Sequence, residues 1–116
     1  MSNIVVADTH LRHTRGGDQL KTFTVQGETV RSGGRMTSYF CATCGTLMYR
    51  VGARFPGVSI LRTGTVDDFG LAERELRPQV EQFVESRVAW QAPVLCDVPQ
   101  VVGMHTEADL VGRAAL

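Results

Sequence analysis

Cys41-Ala42-Thr43-Cys44-Gly45 is the stretch whose residue types and spacing carry chemistry. Two thiolates separated by two residues can grip one tetrahedral zinc at about 2.3 Å each. A tight turn between them aims backbone N–H groups at the sulfurs and stabilises their negative charge. The glycine that follows accepts the positive φ such a turn commonly needs. With strands on either side, the motif reads as a zinc knuckle at a hairpin tip. It is half a site, because a structural zinc takes four ligands. Two other readings stand beside it, a redox dithiol and a chance pair. A thioredoxin-like dithiol opens a helix within a βαβ unit, whereas here the strand-like Leu47-Met48-Tyr49-Arg50-Val51 follows.

The remaining ligands have three sources in the sequence. His10 and His13 would complete a two-cysteine, two-histidine set. Their three-residue spacing converges on a helix, but Asp8 and Gly16-Gly17 argue for an extended or turning segment, where both histidines are solvated. Cys96 and His105 lie in a proline-flanked tail that can fold back; a lone cysteine is more often a small apolar filler or an exposed thiol. The third source is a second copy of the chain, with two cysteine pairs meeting across a two-fold axis.

Short strands with turn residues between them must position these groups. Ile4-Val5-Val6, Thr22 to Val25, Thr37 to Cys41, Leu47 to Val51 and Val58 to Leu61 are β-rich segments. Thr29-Val30-Arg31 begins another before Ser32-Gly33-Gly34 breaks it. Thr63 to Asp68 reads as a strand end and polar loop, and Leu71 to Arg77 as a helical turn cut short by Pro78. Val80 to Val84 is expected as the last core strand. Beyond Pro93 an extended tail ends in a short C-terminal helix over Thr106 to Ala115, capped by Thr106. The expected fold class is mainly β, as one domain over residues 1–93 with an extension over 94–116.

Bulk composition narrows the partners. The 116 residues are 43% hydrophobic and 21% charged, as in ordinary globular proteins. Twelve basic and twelve acidic side chains cancel, which argues against nucleic acid or an anionic membrane held by bulk charge. No apolar run approaches the ~20 residues that span a bilayer, and Met1 to Asp8 has no signal-peptide pattern. The cytosol, where thiols stay reduced, is the expected compartment.

Tyr39-Phe40-Cys41-Ala42-Thr43-Cys44-Gly45-Thr46-Leu47-Met48-Tyr49 resembles the second cysteine motif of the glutathione-dependent formaldehyde-activating enzyme family, also known from centromere protein V. Val6 to Leu11 followed by Gly17 to Phe23 looks like the strand and turn before that motif. Thr63 to Asp68 is similar to the family's glycine-threonine-aspartate loop, and Pro78 through Trp90 to its closing strand and tryptophan. The likeness runs from about Ser2 to Pro93. It implies several coiled antiparallel β-sheets around zinc, with Cys41 and Cys44 joining an upstream Cys-x-Cys at a structural metal. It also implies a second upstream cluster, Cys-x-Cys-x-x-Cys, holding the metal assigned to joining glutathione and formaldehyde, a carbon–sulfur lyase reaction in the synthetic direction. This chain carries neither cluster, and Glu81 stands where family members often have histidine.

The expected function is therefore that of a divergent member acting on or binding a small, thiol-bearing molecule, with zinc as a half-site cofactor at Cys41 and Cys44. Arg50, Arg54 and Arg62 flank the central strands and suit a carboxylate, though they serve equally as surface charges. The alternative is a homodimeric or partner-binding module with a residual structural zinc. Asp67 and Asp68 are adjacent carboxylates without a paired histidine nearby, and Glu81 reads as a solvated strand residue. No phosphate-binding glycine loop occurs.

Overall fold

The structure, a computed structural model, describes residues 1–106, so the helix expected over Thr106 to Ala115 lies outside the described residues but for its capping position. Two compact units divide the chain, one over Met1–Leu76 and another from Arg77 onward.

The first unit is built on one five-stranded antiparallel sheet in the order β1-β5-β4-β3-β2. Its strands are β1 (Asn3–Ala7), β2 (Leu20–Val25), β3 (Met36–Cys41), β4 (Leu47–Gly52) and β5 (Val58–Arg62). Each falls on a β-branched or aromatic run that the sequence marks, and the mainly β class holds. β2 through β5 form a meander, and β1 closes on β5, so β1 and β2 are opposite edges of an open sheet. One face carries Ile4, Leu61, Tyr49, Tyr39 and Thr22 in a row, because these residues pair directly across neighbouring strands. The other carries Asn3, Arg62, Ile60, Arg50 and Ser38. A bulge places Met48 without a partner, between the Phe40–Leu47 and Tyr39–Tyr49 pairs.

Residues 8–19 must carry the chain from one edge to the other. Four strand spacings come to about 19 Å, far less than a twelve-residue segment can reach. The slack is taken up by two 3-10 turns, Asp8–His10 and Gly17–Gln19. The crossing lies over the tyrosine face, held by Ser59 Oγ donating to Asp8 Oδ1 at 2.7 Å and a His13 Nε2–Tyr49 hydroxyl hydrogen bond of 3.2 Å. Near its far end the Ala42 amide donates to the Gln19 carbonyl at 2.9 Å. Sequence reading gives the segment as turns, without its path across the sheet.

Two expected strands are corrected. Thr29-Val30-Arg31 is not a strand: Gly27–Thr29 winds into a 3-10 turn, and Gly33 at φ 78° turns the chain again four residues later. Val80 to Val84 yields only β6 (Glu81–Gln82), paired in parallel with β7 (Gln100–Val101) in the second unit. Phe83 takes φ 58°, a left-handed conformation no regular strand tolerates, and a 3-10 turn over Val84–Ser86 follows. The helical turn expected over Leu71 to Arg77 is present as α1 (Phe69–Arg74), starting two residues earlier and ending before Pro78. Asp68 Oδ1 accepts from the Leu71 amide at 3.0 Å and caps it.

Candidate functional site

The turn between β3 and β4 holds the two thiols close together. The Gly45 amide donates to the Cys41 carbonyl at 2.9 Å, and the Cys41 amide to the Thr46 carbonyl at 2.9 Å. Gly45 sits at φ 75°, the left-handed conformation expected of it. Cys44 is exposed, and its Sγ lies 3.1 Å from Thr46 Oγ1. That hydroxyl bond, with the Thr46 amide and the Cys41 thiol behind it, holds the Cys44 thiol below the ordinary thiol range. Cys41 is half-buried at the end of β3 and faces the tyrosine side of the sheet.

On that side the crossing segment roofs a cavity of about 330 Å³. Its floor is Leu20, Cys41, Met48, Tyr49 and Leu61, while Leu11, His13 and Arg15 come down from the crossing. Tyr49 is the pivot. It is 9% exposed, and its ring stacks on Tyr39 with centroids 4.5 Å apart and planes 11° apart. Burial pushes its hydroxyl above the usual tyrosine range, and the charges of Tyr39 and Asp8 push it further. The phenol is therefore neutral near pH 7 and available for hydrogen bonding. The arrangement combines an apolar floor, a thiol in the wall, and imidazole and guanidinium groups above, which suits a small molecule with sulfur and polar ends. A second hollow of about 390 Å³, lined by Ser2, Thr63, Gly64, Val66, Phe69, Ala72 and Glu73, has one titratable side chain.

The other sequence candidates scatter. His13 turns to Tyr49 and His10 is exposed on the crossing, so neither joins the thiols. In the second unit, Cys96 is exposed and the His105 Nδ1 bonds Gln82 Oε1 at 2.7 Å. Among the described residues, no group of three or more histidine, cysteine or carboxylate side chains is arranged for a metal. The donor set at the hairpin is thus two thiols and a threonine hydroxyl, which does not fit a four-ligand zinc within the described chain. Glu81, expected as a solvated strand residue, is not solvated. Its carboxylate pairs with Arg87 at 2.8 Å and accepts from the Val94 amide at 3.2 Å, with both side chains of the ion pair more than three-quarters buried. Arg54 packs on Gly33-Gly34, apart from Arg50 and Arg62 on the second sheet face. Asp67 is exposed, and Asp68 is spent as a cap.

Tyr49, Met48, Leu61 and Arg15 join the site with no sign of it in their own sequence neighbourhood. Their convergence depends on a strand register and on a crossing 36 residues distant in sequence from Tyr49, and no local pattern signals either. Against known proteins, residues 1–86 match the family model described as glutathione-dependent formaldehyde-activating enzyme. No curated protein and no solved structure matches the chain.

Proposed function

The chain belongs to the glutathione-dependent formaldehyde-activating enzyme family, and from that premise we propose that its cavity binds a small thiol-bearing molecule, with the ligand's sulfur beside Cys41. The observation that supports this most is the placing of Cys41: this residue of the family's cysteine motif lines a tyrosine-floored cavity. Leu20, Met48 and Leu61 receive the ligand's aliphatic part, and the neutral Tyr49 ring closes the floor. Arg15, exposed at the rim, receives an anionic end. The proposal concerns binding alone, and no residue of this cavity is given a role in carbon–sulfur bond chemistry.

Calorimetric titration tests this with reduced glutathione and with its analogue lacking the thiol. Binding of the thiol form in the millimolar range or tighter, a few kcal/mol, is expected. It should weaken at least tenfold for the analogue and vanish in Met48→Trp, which fills the cavity. Leu11→Trp, altering the roof rather than the sheet, serves if Met48→Trp does not fold. Absence of binding, or binding that survives both fillings, overturns the reading.

A homodimer is a second reading, favoured by the two open edges and by the half set of thiols. β1 exposes Val5 (62%) and β2 exposes Phe23 (64%) along edges that are unpaired among the described residues, the kind of surface that another strand covers. Two Cys41–Cys44 pairs brought together would supply four thiolates. Native mass spectrometry separates the cases: a dimer carrying one zinc supports this second reading, and a metal-free monomer removes it.

A further inference from the structure

Arg50 and Arg62 lie on the face of the sheet opposite the cavity. Side chains alternate along a strand, so Arg50, next to Tyr49, points the other way, across from Ser38 on β3 and Ile60 on β5. Arg62 follows Ile60 by two positions and shares that face, opposite Asn3 on β1. Such diagonal neighbours on adjoining strands lie about 7–8 Å apart, within reach of two long side chains.

Among the described residues their surroundings lack a counter-charge. Arg62 is only 8% exposed, and its Nη1 donates to the neutral amide oxygen of Asn3. The Nε atoms of both arginines are buried without a hydrogen-bond partner. Among the described residues no carboxylate meets either guanidinium; the ion pairs Arg77–Asp97 and Arg87–Glu81 lie in the second unit. Burial lowers the Arg62 pKa and the neighbouring Arg50 charge lowers it further, yet a guanidinium does not give up its proton near neutral pH. Two like charges, one of them buried, therefore stand side by side without compensation among the described residues. That arrangement is costly unless an opposite charge is supplied.

We infer that Arg50 and Arg62 form an oxyanion site, which takes a carboxylate or phosphate group between the two guanidinium forks. Planar guanidinium donors match the paired oxygens of such groups, and the half-buried Arg50 offers the side of approach. This site is independent of the cavity, since adjacent residues of β4 face opposite ways, and an anion here needs no thiol.

Thermal melts of the full chain in chloride buffer, with inorganic phosphate or succinate added at matched ionic strength, test it. A rise in Tm of about 5 °C or more, growing with the logarithm of anion concentration, is expected with at least one anion; the better of the two identifies phosphate or carboxylate as the ligand chemistry. Arg50→Met should melt as high as the wild type or higher in chloride, because it removes the like charge, and should show no anion-dependent rise. Arg50→Lys keeps the charge without the fork, folds in either case, and should need about tenfold more anion for the same rise. The proposal is overturned if neither anion raises the wild-type Tm above that in chloride at matched ionic strength. An equal rise in Arg50→Met, or in Arg50→Lys where Arg50→Met does not fold, also overturns it.

Discussion

Replacing Tyr49 by phenylalanine removes one oxygen and isolates the contact that pins the crossing segment to the sheet. The ring, its 4.5 Å stack on Tyr39 and its burial all remain, so the 3–5 kcal/mol of an aromatic-to-alanine cavity does not enter. What is lost is the 3.2 Å hydrogen bond to His13 Nε2. A single hydrogen bond contributes about 0.5–1.5 kcal/mol net. His13 is exposed and hydrates when released, which favours the lower half of that range. A loss of about 0.5–1 kcal/mol is expected, a fall in Tm of roughly 2–8 °C for a domain of this size. Urea unfolding of Tyr49→Phe, His13→Ala and the double variant closes the cycle. The coupling should equal most of the single Tyr49→Phe loss, and amides of residues 11–16 should exchange faster in both single variants. Additive losses within about 0.3 kcal/mol would refute the idea that this contact holds the roof of the cavity.

Three other expectations follow from the same geometry. Tyr49 ionises at a higher pH in the folded chain than in the unfolded one, so its contribution is fully present below the unfolded tyrosine value near 10. It is lost as pH rises through the folded value; alkaline melts of wild type should fall more steeply than those of Tyr49→Phe. The Thr46 hydroxyl stabilises the Cys44 thiolate, so Thr46→Val should raise the pH midpoint of Cys44 alkylation by iodoacetamide, followed by peptide mass mapping. Glu81→Gln leaves Arg87 without its largely buried carboxylate and should cost about 1–3 kcal/mol in urea unfolding, provided that unit unfolds with the rest.

The strands were legible because their residues alternate and are β-branched, with turns between them that carry glycine. Thr22 to Val25 and Val58 to Leu61 are the clearest. The expected Thr29 strand failed because Gly27–Thr29 winds into a 3-10 turn and Gly33 turns the chain again at a positive φ. The Val80 strand failed at Phe83, a large residue whose positive φ no sequence rule anticipates. The cysteine pair was legible from spacing alone, and so was the turn that Gly45 permits. The cavity was not, because it arises where a crossing loop passes over a sheet and its walls come from segments scattered between Leu11 and Thr65. His13 shows the limit well: its pairing with Tyr49 is set by topology, and its own neighbours suggested only solvent.

The most direct test of the central claim is a heteronuclear NMR titration of the chain with reduced glutathione, reading the backbone amides. The account predicts saturable shifts concentrated at Leu11, His13, Cys41, Met48, Tyr49 and Leu61. Shifts absent from these residues at saturating ligand, or confined to the opposite face around Arg50 and Ile60, would contradict it.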